Sequence, residues 1–95
     1  MKIIIVSGYI GESKRKLEDI YAEQYVKSNV VEYKISNAEG VLKTNEDEYY
    51  TARLDNLRGQ RADEVLVYSR ITIGDVFEKV LPVVKYDTKK LSLWS

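Results

Sequence analysis

The sequence predicts a small α/β domain in which a parallel sheet of about four strands is covered by helices. Two short apolar runs, residues 3–6 and 65–68, predict buried strands, and the chain between and after them has room for helices. The first run is β-branched and lacks polar alternation, which is typical of a strand covered on both faces. We therefore expect the opening strand to lie at the centre of the sheet.

Periodicity and turn residues predict the other elements. The expected order is a helix over 12–27, an edge strand over 30–35, a loop over 36–43, a helix over 45–58, the strand over 65–68, a loop over 69–74, a helix over 75–81 and a last strand over 91–94. Thr44 and Asp47 resemble a capping box at the start of the second helix, and Gly59 is placed to end that helix. Pro82 is expected to end or kink the third helix.

This alternation of strands and helices predicts a single three-layer domain, 1–95, of Rossmann-like or flavodoxin-like type with strand order 2-1-3-4. In such sheets, ligands bind at the carboxyl ends of the strands near the switch in strand order. The loops over 7–11 and 69–74 should meet there.

Composition excludes several classes of chemistry. The 95-residue chain has 44% hydrophobic and 32% charged residues, which is typical of a globular protein. It contains no cysteine and no histidine, so thiolate zinc sites and histidine bases are excluded, and we expect no metal and no cofactor. The net charge is zero and the charges are interspersed, so no nucleic-acid signature is present. No apolar run is long enough to span a membrane, and we expect a cytoplasmic protein.

The first candidate site is the turn after the opening strand, which contains Ser7, Gly8, Tyr9 and Gly11. Glycines allow close backbone approach, and free N–H groups in such a turn could hold an anion. The turn matches neither a dinucleotide-binding fingerprint nor a phosphate-binding P-loop. A tight turn that needs glycine for its geometry alone is an equally valid interpretation.

The second candidate combines Thr72, Gly74 and Glu78 around the start of the third helix. If the helix begins near Gly74, we expect Glu78 to point back toward the strand ends, with Thr72 beside free helix N–H groups. A carboxylate in that position could act as a nucleophile on a sugar. The alternative is an ordinary helix glutamate on a solvated face.

Together these segments resemble the nucleoside 2-deoxyribosyltransferase superfamily, which includes the deoxynucleoside 5′-monophosphate N-glycosidases. The resemblance covers residues 1–81 in order and spacing. The matching features are, in chain order, a strand that ends in a glycine loop with Tyr9, the pair Ala62 and Asp63 before an apolar strand, and Thr72, Gly74, Phe77 and Glu78 in a Ser/Thr-x-Gly-x-x-x-Glu motif.

The resemblance implies cleavage or transfer at the N-glycosidic bond of a deoxynucleoside or its 5′-monophosphate. It implies Glu78 as the nucleophile at the anomeric carbon, with Tyr9 orienting it or contacting the substrate, and Asp63 positioning the sugar or the helix end. The residues implied to form the substrate pocket are Ser7, Gly8, Gly11, Thr72 and Gly74. A homodimer is also implied, because these enzymes commonly complete their sites across a subunit interface.

One departure favours a different function. The loop before Thr72 carries Arg70 and Ile71, whereas transferases of this family usually have an acidic residue there that handles the leaving base. Base protonation then has no obvious agent. A non-catalytic module that binds a nucleotide or docks on a protein partner is therefore the alternative, and the eight tyrosines are consistent with a binding surface.

Overall fold

A computed structural model describes residues 1–95 of the chain and shows six strands and one long helix. The strands are β1 (Lys2–Ser7), β2 (Val30–Ile35), β3 (Gly40–Thr44), β4 (Glu48–Arg53), β5 (Glu64–Tyr68) and β6 (Leu91–Trp94). Helix α1 (Ile10–Val26) follows β1. A short 3-10 turn, Leu54–Asn56, follows β4. A single turn of helix α2 (Ile73–Asp75) continues into a π-helical turn, Val76–Val80, and a 3-10 turn, Leu81–Val84. Another 3-10 turn, Thr88–Lys90, leads into β6.

The sheet is mixed, with the order β2-β3-β4-β1-β5-β6. Strand β1 pairs in parallel with both β4 and β5, and β5 pairs in parallel with β6. Strand β3 pairs antiparallel with both β2 and β4, so these three consecutive strands form a meander on one side of the sheet. The predicted four-stranded parallel sheet of order 2-1-3-4 is therefore wrong.

The error arises in the segment over 36–58, where a predicted loop and a predicted helix are in fact strands β3 and β4. The hydroxyl of Thr44 accepts a hydrogen bond from the backbone N–H of Asp47 at 3.0 Å, which is the bond that a helix cap would make. Here it closes a tight turn, because the backbone N–H of Thr44 also donates to the carbonyl oxygen of Asp47 at 2.8 Å. The same local bond serves a helix start and a hairpin turn, so it does not discriminate between them.

Other local predictions are confirmed. Strand β1 is central, with Ile4, Ile5 and Val6 fully buried, and Ile4 lies opposite Val65 in the parallel pairing with β5. Strand β2 is an edge strand, as its alternation indicates. Pro82, in contrast, does not end the helical segment, which changes from π-helical to 3-10 geometry at Leu81 and continues to Val84.

The sheet buries a separate apolar cluster on each face. Ile5, Leu17, Leu42 and Trp94 form the cluster beneath α1. The opposite face is covered by the helical turns over 73–84, whose buried residues pack on the other side chains of β1 and β5. That cluster comprises Ile4, Val6, Ala52, Leu57, Val65, Val67, Val80, Leu81, Val83 and Val84. None of the helices combines the length and apolar character needed to cross a membrane.

Candidate ligand-binding cleft

A cleft of about 330 Å³ opens at the carboxyl ends of β1 and β5. These strands are adjacent and parallel, so the loops that follow them meet at the same edge of the sheet. The cleft volume falls at the lower end of the range of roughly 300–1,000 Å³ that is typical of small-molecule sites. Its lining residues are Gly8, Tyr9, Glu12, Leu54, Tyr68, Arg70, Ile71, Thr72 and Asp75.

The first wall of the cleft is the loop between β1 and α1, and buried hydroxyl groups fix the conformation of this loop. Ser7 is fully buried, and its hydroxyl donates to the carbonyl oxygen of Tyr9 and accepts from the backbone N–H of Ser13 at 3.1 Å. The Ser13 hydroxyl, also buried, lies 3.4 Å from the carbonyl oxygen of Ala52 in β4. Ser7 therefore fixes the loop that carries Gly8 and Tyr9 instead of facing a ligand.

Tyr9 and Glu12 form the exposed part of this wall. The backbone N–H of Tyr9 donates to the Glu12 carboxylate at 3.3 Å, which places a negative charge at the amino end of α1. The Tyr9 side chain is 79% exposed. Its ring is therefore available to a ligand at the rim of the cleft.

The second wall comes from the end of β5 and the loop behind it. The Tyr68 ring rests against Trp94, with the ring centroids 4.6 Å apart. The Thr72 hydroxyl accepts from the backbone N–H of Asp75 at 3.3 Å and so caps the short helical turn. Arg70 is exposed and belongs to none of the ion pairs of the molecule. The Asp75 carboxylate, in contrast, lies 4.0 Å from the ammonium of Lys79. The cleft thus combines two aromatic rings, one unpaired guanidinium and two carboxylates.

Among the pocket residues predicted from the sequence, the structure brings Gly8 and Thr72 into this cleft together with Tyr9. Gly11 and Gly74 are exposed near the starts of α1 and α2 and do not line it. A Cβ atom added at Gly8, Gly11 or Gly74 would meet no atom within 4 Å. None of the three has a positive φ, so neither close approach nor turn geometry requires glycine there.

Glu78 lies in a different groove. It is exposed on the π-helical turn and lines a cavity of about 510 Å³ together with Asp55, Arg58 and Lys79. Leu54 borders both this groove and the cleft. The carboxylate of Glu78 is therefore close to the predicted site in the fold, but it does not line the cleft that contains Tyr9.

Asp63 directly precedes β5, at the end of the sheet opposite to the cleft. Its Oδ2 atom accepts from the backbone N–H of Lys2 at 2.7 Å, and its own N–H donates to the Lys2 carbonyl oxygen at 2.9 Å. These two bonds fix the start of the pairing between β1 and β5. The three residues predicted as catalytic, Tyr9, Glu78 and Asp63, thus lie at three separate places.

Six lining residues were not among the predicted site residues: the apolar Leu54 and Ile71, and Glu12, Tyr68, Arg70 and Asp75, which carry polar groups. Only Arg70 and Asp75 carry a usable sequence signal: Arg70 lies in the loop expected at the strand ends, and Asp75 lies within the motif that begins at Thr72. No three acidic side chains converge closely enough to hold a metal ion.

No protein-family model matches the chain, and no curated protein or solved structure is significantly similar to it. The resemblance to the nucleoside 2-deoxyribosyltransferase superfamily therefore depends on its short motifs alone.

Proposed function

We propose that the chain binds a nucleoside or nucleotide in the cleft at the carboxyl ends of β1 and β5. The proposal rests on one observation: Tyr9 and Arg70 line the same cleft, the Tyr9 residue is 79% exposed, and the Arg70 guanidinium belongs to no ion pair. An exposed aromatic ring and an unpaired guanidinium are the groups that a base and a phosphate require.

Each lining group has a chemical counterpart in a nucleotide. The Tyr9 ring offers a face on which a base can stack. The Arg70 guanidinium can donate two parallel hydrogen bonds to a phosphate. The carboxylates of Glu12 and Asp75 can accept hydrogen bonds from sugar hydroxyls, because ionised carboxylates are acceptors only. A deoxynucleoside 5′-monophosphate therefore uses more of the cleft than a free nucleoside does.

Cleavage of the N-glycosidic bond is a second candidate function. Its support is that two carboxylates, those of Glu12 and Asp75, line the same cleft as Tyr9. A carboxylate nucleophile would attack the anomeric carbon as the C–N bond breaks, and the base would leave with a proton taken from water. A second water would then hydrolyse the glycosyl ester, which releases the sugar, the carboxylate and a proton. The resemblance implies Glu78 for this role, but Glu78 lines the neighbouring groove, so binding without cleavage is the function that the geometry supports better.

Calorimetric titration with deoxynucleosides and their 5′-monophosphates tests the binding proposal. We expect the monophosphates to bind more tightly than the nucleosides, by about tenfold or more if Arg70 makes a charge-assisted hydrogen bond to the phosphate. Arg70→Ala should remove most of this difference in affinity. Tyr9→Ala should weaken the binding of nucleosides and of monophosphates by the same factor. Lys90→Ala removes an equal charge just before β6, at the end of the sheet opposite to the cleft, and should leave both affinities unchanged. If no nucleoside or nucleotide binds, the proposal is wrong.

Chromatographic detection of free base tests the second candidate. Release of base that is lost in Glu12→Gln or Asp75→Asn, and retained in Glu78→Gln, would assign the reaction to the cleft. Release that is lost only in Glu78→Gln would support the role that the family resemblance implies. Binding without release supports the non-catalytic module.

A further inference from the structure

Strand β2 is the outer edge of the sheet, and it pairs with β3 alone. At the hairpin between them, the backbone N–H of Ser36 donates to the carbonyl oxygen of Glu39 at 2.8 Å. Bonded and non-bonded residue pairs alternate along an antiparallel ladder, so Lys34 and Glu32 bond to β3. The N–H and C=O groups of Tyr33 and Ile35 consequently point outward, away from the sheet.

The sequence of this edge is complementary to itself. A second β2 strand placed antiparallel, with a two-fold axis at Tyr33, sets Glu32 opposite the partner's Lys34 and Lys34 opposite the partner's Glu32. Both pairs lie on the same face, because the residues differ by two positions. Within one chain the Glu32 carboxylate and the Lys34 ammonium are already 3.6 Å apart on that face. Opposite charges directly across a strand pair stabilise it.

The other face of the same edge carries exposed apolar side chains. Val31 is 65% exposed and Ile35 is 38% exposed. The two-fold axis would bring Val31 of one chain beside Ile35 of its partner, and Ile35 beside the partner's Val31. Tyr25, at the end of α1, is 65% exposed next to them. Hollows of about 520 Å³ and 530 Å³ lie along this edge, and Tyr33 lines both. This edge is therefore shaped and composed as a contact surface.

We propose that the chain forms a two-fold symmetric dimer in which β2 pairs antiparallel with β2 of a second copy. Edge strands commonly carry a lysine or a bulge that prevents such pairing. Here Lys34 meets a carboxylate in the partner. The irregularity in β2 falls at Val31, at the margin of the contact, and leaves the regular pairing of residues 32–35 with β3 intact. The contact is isologous, so it closes after two copies instead of propagating into a fibre. The proposal does not depend on the proposed ligand.

Charge-swap variants test the register by sedimentation. Wild-type chain is expected to sediment as a dimer. Glu32→Lys sets lysine against lysine, and Lys34→Glu sets glutamate against glutamate, so each variant alone should dissociate at least tenfold more readily. An equimolar mixture of the two variants, and the double variant with both changes in one chain, should restore dimers. Circular dichroism of each variant confirms folding, and rescue in the mixture shows that both partners are competent.

Cross-linking provides a second test, because the native chain contains no cysteine. A mixture of Glu32→Cys and Lys34→Cys chains should form a disulfide-linked dimer much faster than either variant alone. Ser92→Cys lies on β6 at the opposite sheet edge and serves as the matched control. A monomeric wild-type chain, or a dimer that neither charge reversal weakens, would overturn the proposal.

Discussion

The hydroxyl oxygens of Ser7 and Ser13 lie 2.6 Å apart, and neither residue is exposed to solvent. This contact joins the end of β1 to the first turns of α1 directly beneath the loop that carries Tyr9. A buried polar group that loses its partner costs more than the bond contributed, because its desolvation is no longer offset. The serine pair should therefore matter for both stability and the shape of the cleft.

Ser7→Ala should lower the free energy of unfolding by about 1–3 kcal/mol, since the backbone N–H of Ser13 then stays buried without its acceptor. Ser13→Ala should lower it by less, because the Ser7 hydroxyl keeps both the Tyr9 carbonyl oxygen and the Ser13 N–H as partners. The double variant should cost less than the sum of the single variants, because the two side chains share one network. Denaturant unfolding of the three variants measures this. Ser92→Ala, at an exposed position, is the control; additive effects of Ser7→Ala and Ser13→Ala would contradict a shared network.

Gly40 is the glycine whose replacement the packing resists. A Cβ atom there would lie 2.7 Å from Cδ2 of Leu17, which is fully buried in the core beneath α1. Gly40→Ala should lower the free energy of unfolding by about 1–3 kcal/mol through overpacking. In a Leu17→Ala background, which removes the clashing atom, the same change should cost much less. Equal costs in both backgrounds, measured by denaturant unfolding, would refute the packing argument.

Gly11 lies in α1 and serves as the comparison for Gly40, because a Cβ atom added at Gly11 would meet no atom within 4 Å. Gly11→Ala should raise the free energy of unfolding, by up to about 1 kcal/mol, because alanine loses less conformational freedom in a helix. Thermal unfolding checks the sign. Ligand affinity should be unchanged, and a loss of affinity would indicate that the backbone at Gly11 contacts the ligand after all.

Asp63 should behave as a structural residue. Asp63→Ala removes the acceptor for the Lys2 N–H at the start of the β1–β5 pairing and should lower the free energy of unfolding by about 0.5–1.5 kcal/mol. Affinity for nucleosides and monophosphates should not change. A loss of affinity in calorimetry, without a loss of stability, would restore the role in sugar positioning that the family resemblance implies.

Alkaline pH should destabilise the fold through two tyrosines of β4. Burial raises the pKa of Tyr49, and the negative charges of Asp47 and other carboxylates raise it further. The pKa of Tyr50 is also raised, mainly because its hydroxyl donates a hydrogen bond to Glu48. The folded state then keeps protons that the unfolded state releases above its ordinary pKa of 10.0. The contribution is full below that pH and is lost as the pH rises through the folded pKa values.

Urea unfolding on both sides of pH 10.0 measures this effect. The double variant Tyr49→Phe with Tyr50→Phe has no phenol to titrate in β4, so its free energy of unfolding should fall less steeply with rising pH. Tyr86→Phe, at an exposed position, should leave the slope unchanged. A slope that is the same in all three chains would contradict the tyrosine assignment.

The sequence predicts the buried strands well and the meander poorly, for a physical reason. Strands β1 and β5 are uniform apolar runs in the centre of the sheet, so burial alone identifies them. Tyr50 and Arg53 of β4, and Leu54 directly after it, also fit helical spacing, and only the pairing of β4 with β1 and β3 decides in favour of a strand. Pairing between segments distant in the chain is not encoded in local periodicity.

The candidate site was predictable to the level of its loops. Parallel pairing of β1 and β5 brings the loop with Tyr9 to the loop with Thr72, as expected. The direction of Glu78 was not predictable, because Val76–Val80 is π-helical. Hydrogen bonds from i to i+5 replace the 3.6-residue period on which the expected direction depends.

The most direct test of ligand binding in the cleft is a map of amide chemical-shift changes in isotope-labelled protein titrated with deoxynucleoside 5′-monophosphates. We expect saturable shifts at Gly8, Tyr9, Glu12, Arg70 and Thr72, with smaller or no shifts at Arg58 and Glu78 in the neighbouring groove. Shifts confined to the groove of Arg58 and Glu78, or no saturable shifts at any residue, would contradict the assignment of ligand binding to the cleft.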